Sequence, residues 1–199
     1  RVVLPSQWLD ADHGVIGRTD SCLGSEVDVP VGAALAMKLQ NLPHVVLTMV
    51  GEGATNKGNF HEGMTFASTL NLPLIMVIRC NEWAMSMPKN ETVPIENLSD
   101  MSASYGIPSA IVDGNDFVAV RDQVRQAAEE VRKTSKPYII EAKSYRMSPH
   151  SSNDEDNYRP DGEMRQWEDK DPLIVLASQL RNAGVSEAAL KEERTRSEQ

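Results

Sequence analysis

A doubly wound α/β fold, a parallel sheet with helices on both faces, is what this sequence predicts, on three observations. Four apolar runs are near-continuous rather than alternating, which suits strands covered on both sides. Helical patterns stand between these runs, giving the strand–helix alternation of parallel sheets. The first two runs end in short stretches of glycine, carboxylate and amide, where an open α/β sheet holds its ligands.

Each element follows from local chemistry. Pro30 to Leu39 starts with a proline suited to a first helical turn and is almost wholly apolar, which predicts a buried helix. Val45 to Val50 predicts the first strand, stopped by Gly51. Phe60, Met64 and Ala67 recur at i, i+4, i+7 and predict a helix, after which Pro73 to Arg79 predicts the second strand. Ala110 to Asp113 and Pro137 to Ala142 are the third and fourth strands. Between them Phe117, Val120, Val124, Ala127, Ala128 and Val131 form a core-facing stripe behind an Asn115 or Asp116 cap. From Ser144 to about Gly162 the pattern lapses into a polar loop too long for a mere connector, with Asp154 to Asp156 reading as a solvated acidic run. A helical tail is expected from Asp171 onward.

Composition bounds the function. The chain has 199 residues, 29 acidic and 20 basic, for a net charge of −9, so one domain is expected. That acidity argues against a nucleic acid or an anionic membrane as partner, because binding them depends on cations that displace counterions. No apolar run reaches the ~18 residues of a membrane span. Two cysteines, Cys22 and Cys80, are too few for a disulfide framework and read as buried thiols in a reducing setting. The chain opens on Arg1 with no targeting segment visible and stops within a charged helical pattern, so a fragment of a longer protein is expected.

The chemistry gathers after the first two strands. Glu52 stands between Gly51 and Gly53, and Asn81 follows Arg79 and Cys80. Adjacent parallel strands bring Glu52 and Asn81 to one sheet edge, where a carboxylate and an amide oxygen suit Mg²⁺. Arg79 adds a cation for phosphate, and the helix near Asn59 can aim its N-terminus at an anion. Common fingerprints fail. Gly53 to Gly58 is followed by Asn59 and Phe60 rather than Lys and Ser/Thr, no third glycine completes a dinucleotide motif, and His61-Glu62 has Thr65 where a zinc protease needs His. His61 is expected to be structural.

The stretch from Gly51 to Glu62, together with Leu72 to Pro88, resembles the thiamine-diphosphate motif of 2-oxo acid dehydrogenase E1 component α subunits. Further similar pieces follow in order: Tyr105 to Pro108, Val112 to Asp116, Ile140 to Arg146, His150-Ser-Ser-Asn-Asp154, Tyr158-Arg159 and Trp167 with Asp171-Pro172. Glu52, Arg79 and the His150 segment are most similar to the branched-chain (2-oxoisovalerate) form. Pyruvate and acetoin dehydrogenase α subunits are the near alternatives, and a non-catalytic paralogue or fragment that keeps only the fold and partner surface is another.

The resemblance implies a thiamine-diphosphate-binding α/β domain over residues 1–199, lacking the N-terminal part of the family chain. It implies an oxidoreductase that decarboxylates a small-molecule 2-oxo acid and passes the acyl group to a lipoyl-bearing E2. An E1 β subunit would complete an α2β2 heterotetramer and supply the glutamate that activates the cofactor. The compartment implied is the cytoplasm in a prokaryote or the mitochondrial matrix in a eukaryote. Residue by residue, Glu52, Asn81 and the Trp83 carbonyl are expected to hold Mg²⁺. Gly51, Gly53, Ala54 and Arg79 are expected at the diphosphate, Ser21 and Leu23 along the pocket, and Met85 under the aminopyrimidine. His150 is the expected active-site histidine, and Ser151 and Ser152 fall where some family members are phosphorylated. Glu82, acidic beside a diphosphate site, fits only if its side chain points away.

Overall fold

The computed structural model describes residues 9–10, 14–16, 23 and 25–197. In chain order come an antiparallel pair, β1 (Leu9–Asp10) and β2 (Val15–Ile16), then α1 (Ser25–Leu39), β3 (Val46–Gly51), α2 (Gly58–Thr69) and β4 (Leu74–Cys80). A second antiparallel pair, β5 (Trp83–Ala84) and β6 (Met87–Pro88), is followed by the single turns α3 (Lys89–Thr92) and α4 (Ser102–Tyr105). Then come β7 (Ser109–Asp113), α5 (Phe117–Thr134), β8 (Tyr138–Lys143), α6 (Pro172–Asn182) and α7 (Glu187–Ser197). All four expected strands are present.

They form one parallel sheet in the order β3-β4-β8-β7. Because side chains alternate across a strand, β4 sends Leu74, Met76 and Ile78 to one face and Ile75 and Val77 to the other. The first set packs with α1 and α2 through Val27, Val31, Ala34, Phe60, Met64 and Ala67. The second packs with α5 through Ala127 and Val131. Helices therefore lie on both faces, which is the doubly wound arrangement, and this explains the near-continuous apolar runs of β4 and β8, while Leu47 and Met49 of the edge strand β3 stay about half exposed.

Three expectations need correction. Helix α1 starts at Ser25, five residues before Pro30, which lies inside it. An interior proline leaves the carbonyl four residues back without its helical N–H. That carbonyl belongs to Glu26, and the Thr48 hydroxyl of β3 donates to it at 2.6 Å. Nor is α1 buried all round: Val27, Val31 and Ala34 are inside while Val29 and Leu39 are exposed, because in this chain only one face meets α2 and the sheet. Phe117, the first residue of the α5 stripe, is 54% exposed. The helix is capped by Asp116, whose Oδ1 accepts from the Ala119 amide at 2.9 Å.

Gly63 sets the distance between α1 and α2: a Cβ there would lie 2.4 Å from Val27 Cγ1. Among the described residues no helix is long and apolar enough to cross a membrane.

Candidate functional site

The register decides what meets at the sheet's carboxyl edge. Gly51 of β3 pairs with Arg79 of β4, and Cys80 of β4 pairs with Lys143 of β8. Three chain segments, starting at Glu52, Asn81 and Ser144, thus leave the sheet side by side. They enclose a cleft of about 590 Å³, within the range of small-molecule sites. Leu23, Gly51, Glu52, Gly53, Ala54, Arg79, Asn81, Trp83, Met85 and His150 all line it. Ser21, and Cys22 beside it, lie outside the described residues.

Glu52 opens a 3-10 turn, Glu52–Asn56, that is closed by the Thr55 hydroxyl donating to the Glu52 carbonyl at 2.6 Å. The side chain is 1% exposed, and its Oε1 has no hydrogen-bond partner among the described residues. Burial pushes the carboxyl above its ordinary range, while the amides of Glu52, Asn81 and Trp83 pull the other way and the charge of Glu82 adds to the rise. A buried oxygen without a partner costs roughly 1–3 kcal/mol, more when charged, so a cation there would be well received.

The turn must pass close beneath the next segment. A Cβ on Gly53 would sit 2.8 Å from that of Ala84, which is why glycine stands there, whereas Gly51 faces open space. Beyond β4, the Asn81 Oδ1 accepts from the Trp83 amide at 3.2 Å. Glu82 takes a left-handed φ of 72° and does not line the cleft; the Cys80 thiol donates to its Oε1 at 3.8 Å. The acidic side chain is thus engaged with Cys80 rather than with the cleft. Met85, at φ 56° and 59% exposed, presents its side chain at the cleft.

The Glu52 Oε1, without a partner among the described residues, and the Asn81 amide oxygen are hard donors that suit Mg²⁺, which takes few protein ligands and keeps places for phosphate oxygens; the third expected oxygen, the Trp83 carbonyl, accepts from Arg146 at 3.3 Å. Among the described residues no three His, Cys, Asp or Glu side chains come together in a metal-holding group. The open space at Gly51, with Arg79 and Lys57 beside it, fits an anionic diphosphate.

The third segment corrects the reading of Asp154 to Asp156 as a solvated run. Asp154 accepts from the Tyr158 hydroxyl at 2.6 Å, the His150 amide at 2.8 Å and the Asp156 amide at 3.0 Å. These bonds, the Tyr158 hydroxyl first, hold its pKa at about 2. Asp156 pairs with Arg159, which also donates to the carbonyl of Arg146 at 2.5 Å. Arg146 in turn donates through Nη1 to the carbonyls of Met85 at 2.7 Å and Trp83 at 3.3 Å, and through Nη2 to Tyr158 at 2.5 Å. His150, which lines the cleft, is held there through its main-chain amide.

Sequence reasoning missed Lys57, Tyr145 and Arg146 as cleft residues. Arg146 carried a trace, since it closes a resembling stretch, but no spacing rule ties it to carbonyls sixty residues earlier. Outside the cleft, His61 is structural as expected, with Nδ1 2.6 Å from the Tyr105 hydroxyl. The Cys80 thiol is buried, and burial first of all pushes its pKa to about 12.

The sheet and its edge cleft define a fold class found in thiamin diphosphate enzymes. A transketolase from Campylobacter jejuni superposes with a TM-score of 0.53 at 21% identity, over 61% of this chain and 20% of that one. A Mycobacterium smegmatis protein described as thiamin diphosphate-dependent gives 0.50 at 19%, over 63% and 23%. Beyond the fold, residues 10–199 match the family Dehydrogenase E1 component, and the chain belongs to that family. It is 38% identical to the 2-oxoisovalerate dehydrogenase subunit alpha of Bacillus subtilis, over 81% of this chain and 49% of that protein. It is 34% identical to the pyruvate dehydrogenase E1 component subunit alpha of Acholeplasma laidlawii, over 83% and 49%. The chain spans about half the length of these curated relatives.

Proposed function

We propose that this chain is the α part of a 2-oxo acid dehydrogenase E1 that decarboxylates a branched-chain 2-oxo acid on thiamine diphosphate and passes the acyl group to the lipoyl arm of an E2. Residues 1–199 then form its cofactor-binding α/β domain. The observation that carries this reading is the buried Glu52, with an oxygen lacking a partner, beside Asn81 on the cleft floor. The 2-oxoisovalerate relative supports the branched-chain substrate, and the pyruvate relative makes pyruvate the competing one. The bacterial relatives favour the cytoplasm as the compartment.

In this reading Glu52, Asn81 and the Trp83 carbonyl would hold Mg²⁺, whose charge would offset that of the diphosphate. Gly51, Gly53 and Ala54 let the main chain approach the diphosphate, while Arg79 neutralises it from β4. Leu23 lines the pocket, Ser21 is assigned to the same cofactor by the family resemblance, and Met85 would supply an apolar support under the cofactor. When bound, thiamine diphosphate supplies a carbon nucleophile and an electron sink for decarboxylation. The ring of His150 holds or moves a proton at the cleft mouth, where substrate and lipoyl group meet. Both an E1 β subunit, completing an α2β2 assembly, and the E2 belong to this reading.

Isothermal titration of thiamine diphosphate with Mg²⁺, on the chain co-expressed with a β subunit, tests it. Saturable, metal-dependent heat that Glu52→Ala abolishes is expected, with turnover of 2-oxoisovalerate exceeding that of pyruvate. An assembled complex that gives no heat refutes the catalytic reading and leaves a paralogue that keeps only the fold.

A further inference from the structure

The loop that bears Trp83 is strained. Glu82 and Met85 both lie in the left-handed region, at φ 72° and 56°. Residues other than glycine stay there only when their surroundings over-determine them. Two of the restraints are local: the pairing of Ala84 with Met87 and the Lys89 amide donating to the Glu82 carbonyl at 2.8 Å. Arg146 grips the carbonyls of Trp83 and Met85 from outside. The most distant restraint is Glu163, eighty positions along the chain, whose Oε1 accepts from the Trp83 Nε1 at 3.0 Å.

Glu163 has a second connection. The Tyr145 hydroxyl is pushed up by its burial and pulled back by the hydrogen bond it accepts from Arg159, while the charge of Glu163 adds to the rise. Trp83 and Tyr145 both line the cleft, on segments that follow β4 and β8 respectively. A single half-buried carboxylate outside the cleft thus bonds one of its walls and lies within electrostatic reach of a second. The Trp83 ring also lies against Tyr158, 5.5 Å between centroids, so the indole is held both by a face and by its N–H.

We propose that Glu163 is a positioning residue: by holding the Trp83 indole N–H it fixes the orientation of the Trp83 main chain and so of the carbonyl assigned above to Mg²⁺. The proposal rests on the function proposed above. Outer partners that orient metal ligands are worth about 10–100-fold in metal affinity, and the lower end is expected here because the bond acts through the side chain onto a carbonyl.

The test uses the chain assembled with a β partner and labelled with 5-fluorotryptophan, the Trp83 resonance being assigned with Trp83→Phe. Glu163→Ala should shift the Trp83 fluorine resonance without cofactor and weaken Mg²⁺–thiamine diphosphate binding by about tenfold. Glu163→Gln keeps an acceptor oxygen and should restore both. In the Trp83→Phe background Glu163→Ala should add no further loss, as a double-mutant cycle on one bond requires. A merely structural role would lower the melting temperature while leaving the resonance in place and the Ala and Gln variants alike in affinity. An unmoved resonance, or unchanged affinity, in Glu163→Ala overturns the proposal. Failure of the wild-type assembly to bind cofactor refutes the proposed function instead, and the fluorine measurement reads the Glu163–Trp83 bond separately.

Discussion

Replacing Thr48 by Val should destabilise the protein by an amount that depends on what stands at position 30. Pro30 has no N–H for the Glu26 carbonyl, and the Thr48 hydroxyl reaches that carbonyl at 2.6 Å from the neighbouring strand. Valine keeps the shape of threonine and removes the donor. For a part-buried hydrogen bond the loss should be about 1 kcal/mol, a fall of about 2–4 °C in melting temperature for a chain of this size. Pro30→Ala returns an N–H to the helix, so in that background Thr48→Val should cost almost nothing. The coupling in this cycle should therefore be close to the whole single-mutant effect. Urea denaturation of the four proteins at one pH, compared by midpoint with m held constant, measures it. Equal costs in the two backgrounds would refute the account of how α1 tolerates its proline.

Gly63→Ala should cost about 1–3 kcal/mol by forcing α1 away from α2, read by the same denaturation curves, because its Cβ would meet Val27 at 2.4 Å. Gly53→Ala should push Ala84 outward and weaken binding of Mg²⁺–thiamine diphosphate in calorimetry more than it lowers the melting temperature. Asp116→Ala should lose about 1 kcal/mol of capping on α5, seen as a lower urea midpoint. Asp154, held at about 2, stabilises the folded loop in its ionised form. That contribution is fully present above the ordinary carboxyl value of 3.8 and is lost as pH falls from there toward 2. In Asp154→Asn the acid limb of the stability profile between those values should flatten.

The central strands β4 and β8 were legible because they are buried on both faces. Ile75 and Val77 serve one core and Met76 and Ile78 the other, so every position must be apolar and the run stands out. The start of α1 was hidden by Pro30, whose usual place in a first turn gave way to a tertiary hydrogen bond from Thr48. The short pairs β5 and β6 carry no period at all, since two residues cannot display alternation. At the site, strand ends and parallel pairing placed Glu52 and Asn81 at one sheet edge, while the roles expected of them came from the family resemblance. Arg146, Glu163 and the folded-in Asp154 were not legible, because they act across long chain separations through main-chain carbonyls, an indole and a phenol, contacts that leave no spacing behind.

The burial of β4 and β8 in mid-sheet places the two sides of the cleft on different clocks. Amides of these strands meet solvent only when most of the domain opens, so Asn81, one step beyond β4, shares the slowest breathing of the molecule, and Glu52, buried beside it after the edge strand β3, is tied to β4 through the pairing of Gly51 with Arg79. His150 hangs from a segment held mainly by side-chain bonds around Asp154 and Arg146, which can part while the sheet stays closed. A bound anion would thus be gripped by a wall that persists for the lifetime of the fold, while traffic through the mouth is governed by a faster local equilibrium.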